Sequence, residues 1–364
     1  MKKLLISLIV LFCAGSYALA QYKYEFTTVK VNPATPVKNQ ASTGTCWCFA
    51  TNSFIESELL RMGKGEYDLS EMYIVRMNYV QRIWDNYLRA GDGNIGPGSI
   101  AHMYIKRMSE SGLLPEAVYD GLNYGSKFHN HKELSQWVKS ASEISIKNKR
   151  PLQPEILNGI LDAYLGKVPA KFTYKGKEYT PMSFYKSLGI NSEDYIELTS
   201  VTHHPFYERV PLEISDNWDH ELLYNVPIDE LIKIMDNAIE KGYTIAWDGD
   251  VSEKAFSHGN HIALNTDESL KNAKERIVET PVTQESRQAG IENFTSTDDH
   301  LMHITGISKD QNGAKYYITK NSWGTGNGDG YLNMSENYVR AKCISILVNK
   351  NSIPKEIRAK LNIK

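Results

Sequence analysis

Residues 46 to 62 read CWCFATNSFIESELLRM, a run with no Pro or Gly and with helical spacing throughout. Cys48, Ile55, Leu59 and Met62 recur at helical intervals, which predicts one buried stripe. The preceding Ala41 to Thr45 is loop material, and Thr45 or Thr43 can cap the helix. Cys46 therefore falls in the first turn, where unpaired backbone N–H groups and the helix dipole favour an anion. That setting lowers a thiol pKa and raises its thiolate fraction. Cys48 points elsewhere, into the stripe, as a small buried hydrophobe.

Gln40 lies six residues upstream of Cys46. Its side-chain amide can join the Cys46 N–H as two donors aimed at one developing oxyanion. A reactive thiol also needs a base, and the far end of the chain supplies candidates. Residues 300 to 307 (HLMHITGI) and 315 to 319 (KYYIT) read as strands, and Asp310-Gln-Asn312-Gly313 between them reads as a hairpin turn. Folding about that turn sets Asn321 across from residues 302 to 304, a diagonal neighbour of His300. An Asn carbonyl there would hold one ring N–H, leaving the other nitrogen to take the thiol proton. Trp323 would cover that bond from water. His303 lies three positions from His300, on the opposite side of a strand, so only one of the two can face Cys46. The other histidines, His203 and His204 among them, show no metal-ligand spacing. No metal and no cofactor is expected, and the glycines of Thr325 to Gly330 read as a turn rather than a phosphate cradle.

With 364 residues, 41% hydrophobic and 23% charged, the chain is of globular composition, which excludes disorder and fibrous repeats. A net charge of -2 offers no basic footprint for nucleic acid. Four cysteines are too few for a disulfide-built scaffold of this length. Lys2 and Lys3, the apolar run Leu4 to Ala14, and Ala18-Leu-Ala20 are laid out as a cleaved secretory signal over residues 1–20. The apolar core falls short of the roughly 20 residues that span a bilayer. This reading predicts a periplasmic or secreted protein without a membrane anchor. Cleavage would remove Cys13 and leave Cys46, Cys48 and Cys343, an odd number; a Cys48–Cys343 disulfide stays open.

Gln40…Cys46-Trp47, then His300, then Asn321-Ser322-Trp323-Gly324 resembles the papain-like cysteine peptidases in residue type, order and local spacing. Gly306 stands at the family's distance from His300, not from His303. The resemblance implies an α+β, two-lobed fold: a helical lobe with the Cys helix and a β-rich lobe with His and Asn. It implies Cys46 as nucleophile, His300 as general base and acid, Asn321 as its orienter, and Gln40 as oxyanion donor. The 254 residues from Cys46 to His300 exceed the papain spacing of about 130–150 and are similar to the bleomycin hydrolase and aminopeptidase C branch. Gly112 to Tyr119, Leu223 to Asn225, Trp247 to Ser252 and Ile353 to Ile357 agree with that branch. It implies an aminopeptidase acting on peptides, a homo-oligomer of hexamer type, and substrate backbone held at Gly96, Gly98 and Ser99. Within a peptidase domain of residues 21–364, residues 127–242 read as a mainly helical insertion, a lid or an assembly element. Rival readings are an endopeptidase, if the carboxy-terminal arm does not reach the cleft, and a non-catalytic peptide-binding relative. A transglutaminase-like acyl transferase also uses Cys before His, but the Gln40 spacing and the Asn-Ser-Trp-Gly run argue against it.

Overall fold

The computed structural model describes residues 23–270, 275–326 and 328–364. Helix α1 (Cys46–Arg61) runs through the middle and is buried on every face from Trp47 to Leu59. The stripe Cys48, Ile55, Leu59 is part of that burial, whereas Met62, at the helix end, is 36% exposed. Most polar residues of α1 are buried with partners, Ser57 Oγ being an exception. Asn52 Nδ2 donates to Glu71 Oε1 at 2.7 Å and to the Leu69 carbonyl at 3.0 Å, and Ser53 Oγ meets His303 Nδ1 at 2.8 Å. Such partners are required, because a buried polar group without one costs several kcal/mol, about 2–7 by transfer measures.

On one side of α1 lie α2 (Glu71–Leu88), α3 (Ala101–Ser111), α4 (Lys132–Lys147), α5 (Pro154–Leu165) and α6 (Pro181–Leu188). Trp47, Phe54, Met72, Tyr104, Leu161 and Phe184 belong to their common core. Helix starts follow local chemistry: Ser70 Oγ accepts from the Tyr73 N–H, Thr180 and Ser183 form a capping box, and Pro154 and Pro181 open their helices.

On the other side is a mixed sheet. Its strands are β1 (Phe26–Val31), β4 (Tyr195–Thr199), β5 (Arg209–Pro211), β6 (Leu222–Asn225), β7 (Ile245–Gly249), β8 (Phe256–Ser257), β9 (Ile262–Ala263), β10 (His300–Asp310), β11 (Lys315–Lys320), β12 (Tyr331–Ser335) and β13 (Cys343–Asn349). They run in the order β5-β6-β4-β13-β7-β10-β11-β12-β9-β8, with β1 on β10. A separate hairpin pairs β2 (Phe172–Tyr174) with β3 (Lys177–Tyr179). Helix α7 (Ile228–Glu240) packs Leu231, Met235 and Ala238 into a second core with Trp247, Tyr317 and Ile346. Short helices α8 (Gln284–Glu292), α9 (Glu336–Lys342) and α10 (Lys355–Lys360) complete this lobe.

Strand β10 changes partner along its length. Residues 300 to 304 pair with β7, while Gly306 to Asp310 pair with β1 beyond an irregularity at Ile304/Gly306. A Cβ on Gly306 would lie 2.4 Å from the Lys30 carbonyl oxygen, so only glycine admits β1 there. The hairpin turn is held by Asp310 Oδ1, which accepts from the Asn312 and Ala314 N–H groups at 2.9 Å.

Residues 127–242, read from the sequence as one mainly helical insertion, are divided. As far as Leu188 they join the helical lobe; from Tyr195 they supply β4, β5 and β6, with β4 on β13, and then α7. Pro211 sits on edge strand β5, a position that tolerates proline. Cys46, Cys48 and Cys343 are all free thiols; Cys48 lies in the core of the helical lobe and Cys343 in that of the sheet lobe. Among the described residues no helix is long and apolar enough to cross a membrane.

Candidate active site

The site lies where α1 begins and β10 begins. Thr45 precedes α1 but makes no side-chain capping bond; its hydroxyl pairs with Thr43 Oγ1 at 2.6 Å. The first N–H groups of the helix are therefore not covered by a cap. The Cys46 thiol sits against the backbone N–H of Leu301, the residue after His300.

The register His303↔Lys320 brings the end of β11 beside the start of β10, and His300 Nε2 donates to Asn321 Oδ1 at 2.8 Å. Asn321 is oriented on both sides. Its Oδ1 also accepts from the Ser322 N–H at 2.7 Å, and its Nδ2 donates to His258 Nδ1 at 3.5 Å. With Nε2 carrying its proton to Asn321, Nδ1 is the basic nitrogen of His300. The Trp323 ring lies 4.8 Å from the His300 ring, tilted by 34°, and is itself 39% exposed. It roofs the pair from solvent.

Gln40 comes from a loop tied to the same segment. Its N–H donates to the Ser322 carbonyl at 2.8 Å and its Oε1 accepts from Ser322 Oγ at 2.6 Å. Held by its oxygen, the amide keeps Nε2 as its donor. The Gly324 N–H bonds to the Lys38 carbonyl at 3.1 Å, which ties the two segments together once more. His303 is fully buried on the other side of β10 against Ser53, outside this group.

The electrostatics differ from those expected of a helix N-terminus. Burial pushes the Cys46 thiol up to about 12; Asp298, Asp248 and Asp216 push in the same direction, and only the Leu301 N–H opposes them. Burial pushes His300 down to about 4, with the Asn321 bond opposing and His258 adding to the fall. Desolvation outweighs the dipole, so each group taken singly is neutral near pH 7.

The segment Gly96 to Ser99 lies beside α1, where Trp47 Nε1 donates to the Pro97 carbonyl at 3.1 Å. A Cβ on Gly98 would meet Asp216 Oδ2, so that glycine admits the Asp216 side chain. Ser99 turns inward: it is 1% exposed, and its hydroxyl accepts from Asn78 Nδ2 at 3.0 Å and Trp218 Nε1 at 2.9 Å. Its side chain is used inside the fold and is withdrawn from substrate.

Sequence reasoning missed Ser322, His258 and the carboxylates Asp216, Asp248 and Asp298. Ser322 lies within the Asn-Ser-Trp-Gly run, Asp248 within Trp247-Asp-Gly-Asp250, and Asp298 two residues before His300. It also saw no ligand grouping in His203, His204 and Glu213, whose ligand atoms lie within 4.8 Å of one another. The spacing hid this because Glu213 comes from a separate turn. Gln288 Nε2 donates to His203 Nδ1 at 2.9 Å, which puts the His203 proton on Nε2, facing Glu213. That proton fills the place a metal would need.

Known proteins agree with this architecture. The model of the peptidase C1-like family matches residues 130–364, and that of the papain family of cysteine proteases matches residues 23–203. Cysteine proteinase 1, mitochondrial, of Saccharomyces cerevisiae is 22% identical over 92% of this chain and 79% of its own. Human bleomycin hydrolase is 24% identical over 90% of this chain and 82% of its own, and aminopeptidase C of Lactococcus lactis subsp. cremoris 22% over 88% and 82%. The crystal structure of pepw from Lactobacillus rhamnosis superposes with a TM-score of 0.70 at 19% identity, covering 92% of this chain and 84% of that one. The α+β papain-like fold is thereby shown. These relatives overturn the expectation of a periplasmic or secreted protein: the yeast enzyme is named as mitochondrial and aligns with nearly the whole chain. Residues 1–20, on which that expectation rested, lie outside the described residues. With its model matching more than half of the chain, the protein belongs to the peptidase C1-like family and is a papain-type cysteine peptidase.

Proposed function

We propose that the chain hydrolyses peptide bonds through Cys46, His300 and Asn321, and that it does so as an aminopeptidase. The observation that carries the mechanism is the 2.8 Å bond from His300 Nε2 to Asn321 Oδ1 under Trp323, beside a thiol at an uncapped helix start. His300 Nδ1 takes the thiol proton as Cys46 Sγ bonds to the peptide carbonyl carbon, and the carbonyl π pair moves to oxygen. Gln40 Nε2–H and the Cys46 N–H donate to that oxyanion. The tetrahedral species collapses, the C–N bond breaks, and His300 gives its proton to the leaving amine. Water then attacks the thioester while His300 Nδ1 takes its proton, and the proton returns to Sγ as the carboxylic acid leaves. The Asn321 bond keeps the imidazole aimed through both half-reactions.

The aminopeptidase part draws support from relatives named aminopeptidase C and bleomycin hydrolase. One peptide in free-amine and N-acetylated forms tests it. Cleavage of the free-amine form alone is expected, and equal cleavage of both would give the endopeptidase reading instead. Cys46→Ala is expected to be inactive; wild-type hydrolysis by that variant would remove the mechanism. A homo-oligomer is part of the same proposal, and a single monomer boundary in sedimentation velocity at micromolar concentration would remove it.

A further inference from the structure

The mechanism above uses no carboxylate, yet carboxylates surround its thiol. Asp248 stands on β7 directly across from Leu301, whose N–H faces Cys46. Asp298 lies two residues before His300. Asp216 approaches from a neighbouring turn and has partners: Arg82 Nη2 at 3.9 Å and Asn94 Nδ2 at 3.4 Å. The other two differ. Asp248 is 1% exposed and shares a carboxyl–carboxylate hydrogen bond with Asp298; among the described residues no N–H or hydroxyl reaches either Asp248 oxygen or the buried Asp298 Oδ2. The charges that act most strongly on both are acidic: Asp216, Glu197 and, on Asp298, Asp299. Burial, then the Asp298 charge, pushes Asp248 up, and burial pushes Asp298 up to about 7, so the inner carboxyl keeps a proton and Asp298 is the member that can carry the charge. A partly buried carboxylate whose neighbours are acidic is favoured by an incoming positive charge.

There is room for one. Asp298 also lines a groove of about 510 Å³ with an apolar floor formed by Val201, Leu212, Ile214, Ile291 and Ile344. The Asp298 charge acts on Cys46, so the residue whose carbonyl is attacked there lies near the Asp298 end of this groove. Charge and shape together call for a positive group on an aliphatic body.

We propose that Asp298, backed by Asp248, binds the alkylammonium group of the peptide substrate on the acyl side of the scissile bond, while the groove floor takes the adjoining aliphatic atoms. This rests on the peptidase reading, and it makes Asp298 a specificity determinant rather than part of the bond-breaking machinery. The ammonium comes either from the peptide's own α-amino terminus or from a lysyl side chain.

Three dipeptide amides with one scissile bond separate the sources: Leu-Leu with a free α-amine, acetyl-Leu-Leu, and acetyl-Lys-Leu. The wild-type enzyme should prefer at least one ammonium-bearing substrate over acetyl-Leu-Leu in kcat/KM. Preference for the free amine assigns the α-amino terminus, and preference for acetyl-Lys-Leu assigns the lysyl side chain. In Asp298→Asn the charged-to-neutral ratio of kcat/KM should fall about 10- to 100-fold, through KM, as expected for loss of a charge-assisted contact. Asp298→Glu should restore much of it. Any unfolded fraction cancels in the ratio, so a misfolding variant cannot imitate the effect. A wild type without ammonium preference, or a ratio unmoved by Asp298→Asn, overturns the proposal. Calorimetric binding of the same peptides to Cys46→Ala and to Cys46→Ala/Asp298→Asn proteins reads recognition without chemistry. An ammonium preference in binding that Asp298→Asn abolishes, without cleavage by the wild type, would sink the peptidase reading and leave only the Asp298–ammonium contact standing; a binding preference unmoved by Asp298→Asn overturns the contact.

Discussion

Asn321 shows how one amide sets the chemistry of its neighbour. Its Oδ1 accepts from His300 Nε2, and that bond holds the imidazole up against burial, which still brings it down to about 4. In the proposed mechanism activity needs neutral His300, so the acid limb of kcat/KM follows the imidazole pKa. Asn321→Ala removes the support, so the limb should move to lower pH while kcat falls; a pH–rate profile whose limb moved up would contradict this assignment. Gln40→Ala should keep its fold and lose about 10²–10³ in kcat, read by steady-state kinetics. The residues of the proposed site stand out in the sequence because Gln40, Cys46, His300 and Asn321 sit in local patterns that spacing exposes. Asp248 and Asp298 do not, since an acid in a short polar run reads as solvent-facing. Only the fold reveals that Asp248 is bonded to another carboxyl, with no N–H or hydroxyl reaching it among the described residues, and that its neighbours share its sign.

At the scale of elements, β10 does most of the positioning. It carries His300 at one end, pairs with β7, β11 and β1 in turn, and hands one edge over at the Ile304/Gly306 irregularity. Gly306→Ala would set a methyl 2.4 Å from the Lys30 carbonyl. It should cost about 1–3 kcal/mol in urea unfolding, because backbone must shift to admit it. An unchanged midpoint would mean that β1 can move away freely. Strands β10 and β11 and their turn were readable from β-branched and aromatic runs around Asp310-Gln-Asn-Gly313. Helix α1 was readable as a helix but not as one buried on every face. Asn52, Ser53 and Glu56 look like an outer surface until the partners that satisfy them are in view.

For the whole molecule, the joint between the lobes is polar. Lys320 of β11 is buried, donates to Ser53 Oγ at 2.7 Å and Thr35 Oγ1 at 3.3 Å, and is pushed down to about 8 by burial against the pull of Glu56 and Glu71. Lys38 meets Glu71 at 2.9 Å on the same seam. Lys320→Ala leaves Glu56 with less compensation and should destabilise by about 3–5 kcal/mol in chemical denaturation, whereas Lys320→Met with Glu56→Gln should recover most of it. A neutral Lys320→Ala would show that the seam is not under electrostatic tension. Residues 127–242 belong to this scale too: a sequence scan sees helices punctuated by prolines, while β4, β5 and β6 are too short to stand out until β4 pairs with β13, β6 with β4 and β5 with β6. By itself the sequence determined the Cys helix, the hairpin, the order of the site residues and the family resemblance, because each rests on local periodicity, turn chemistry or spacing. Only the tertiary structure decided the thiol's protonation, the inward turn of Ser99, the division of the middle segment and the buried carboxylates beside the groove. Burial and charge at a point are set by what distant segments bring to it, and no local pattern encodes that.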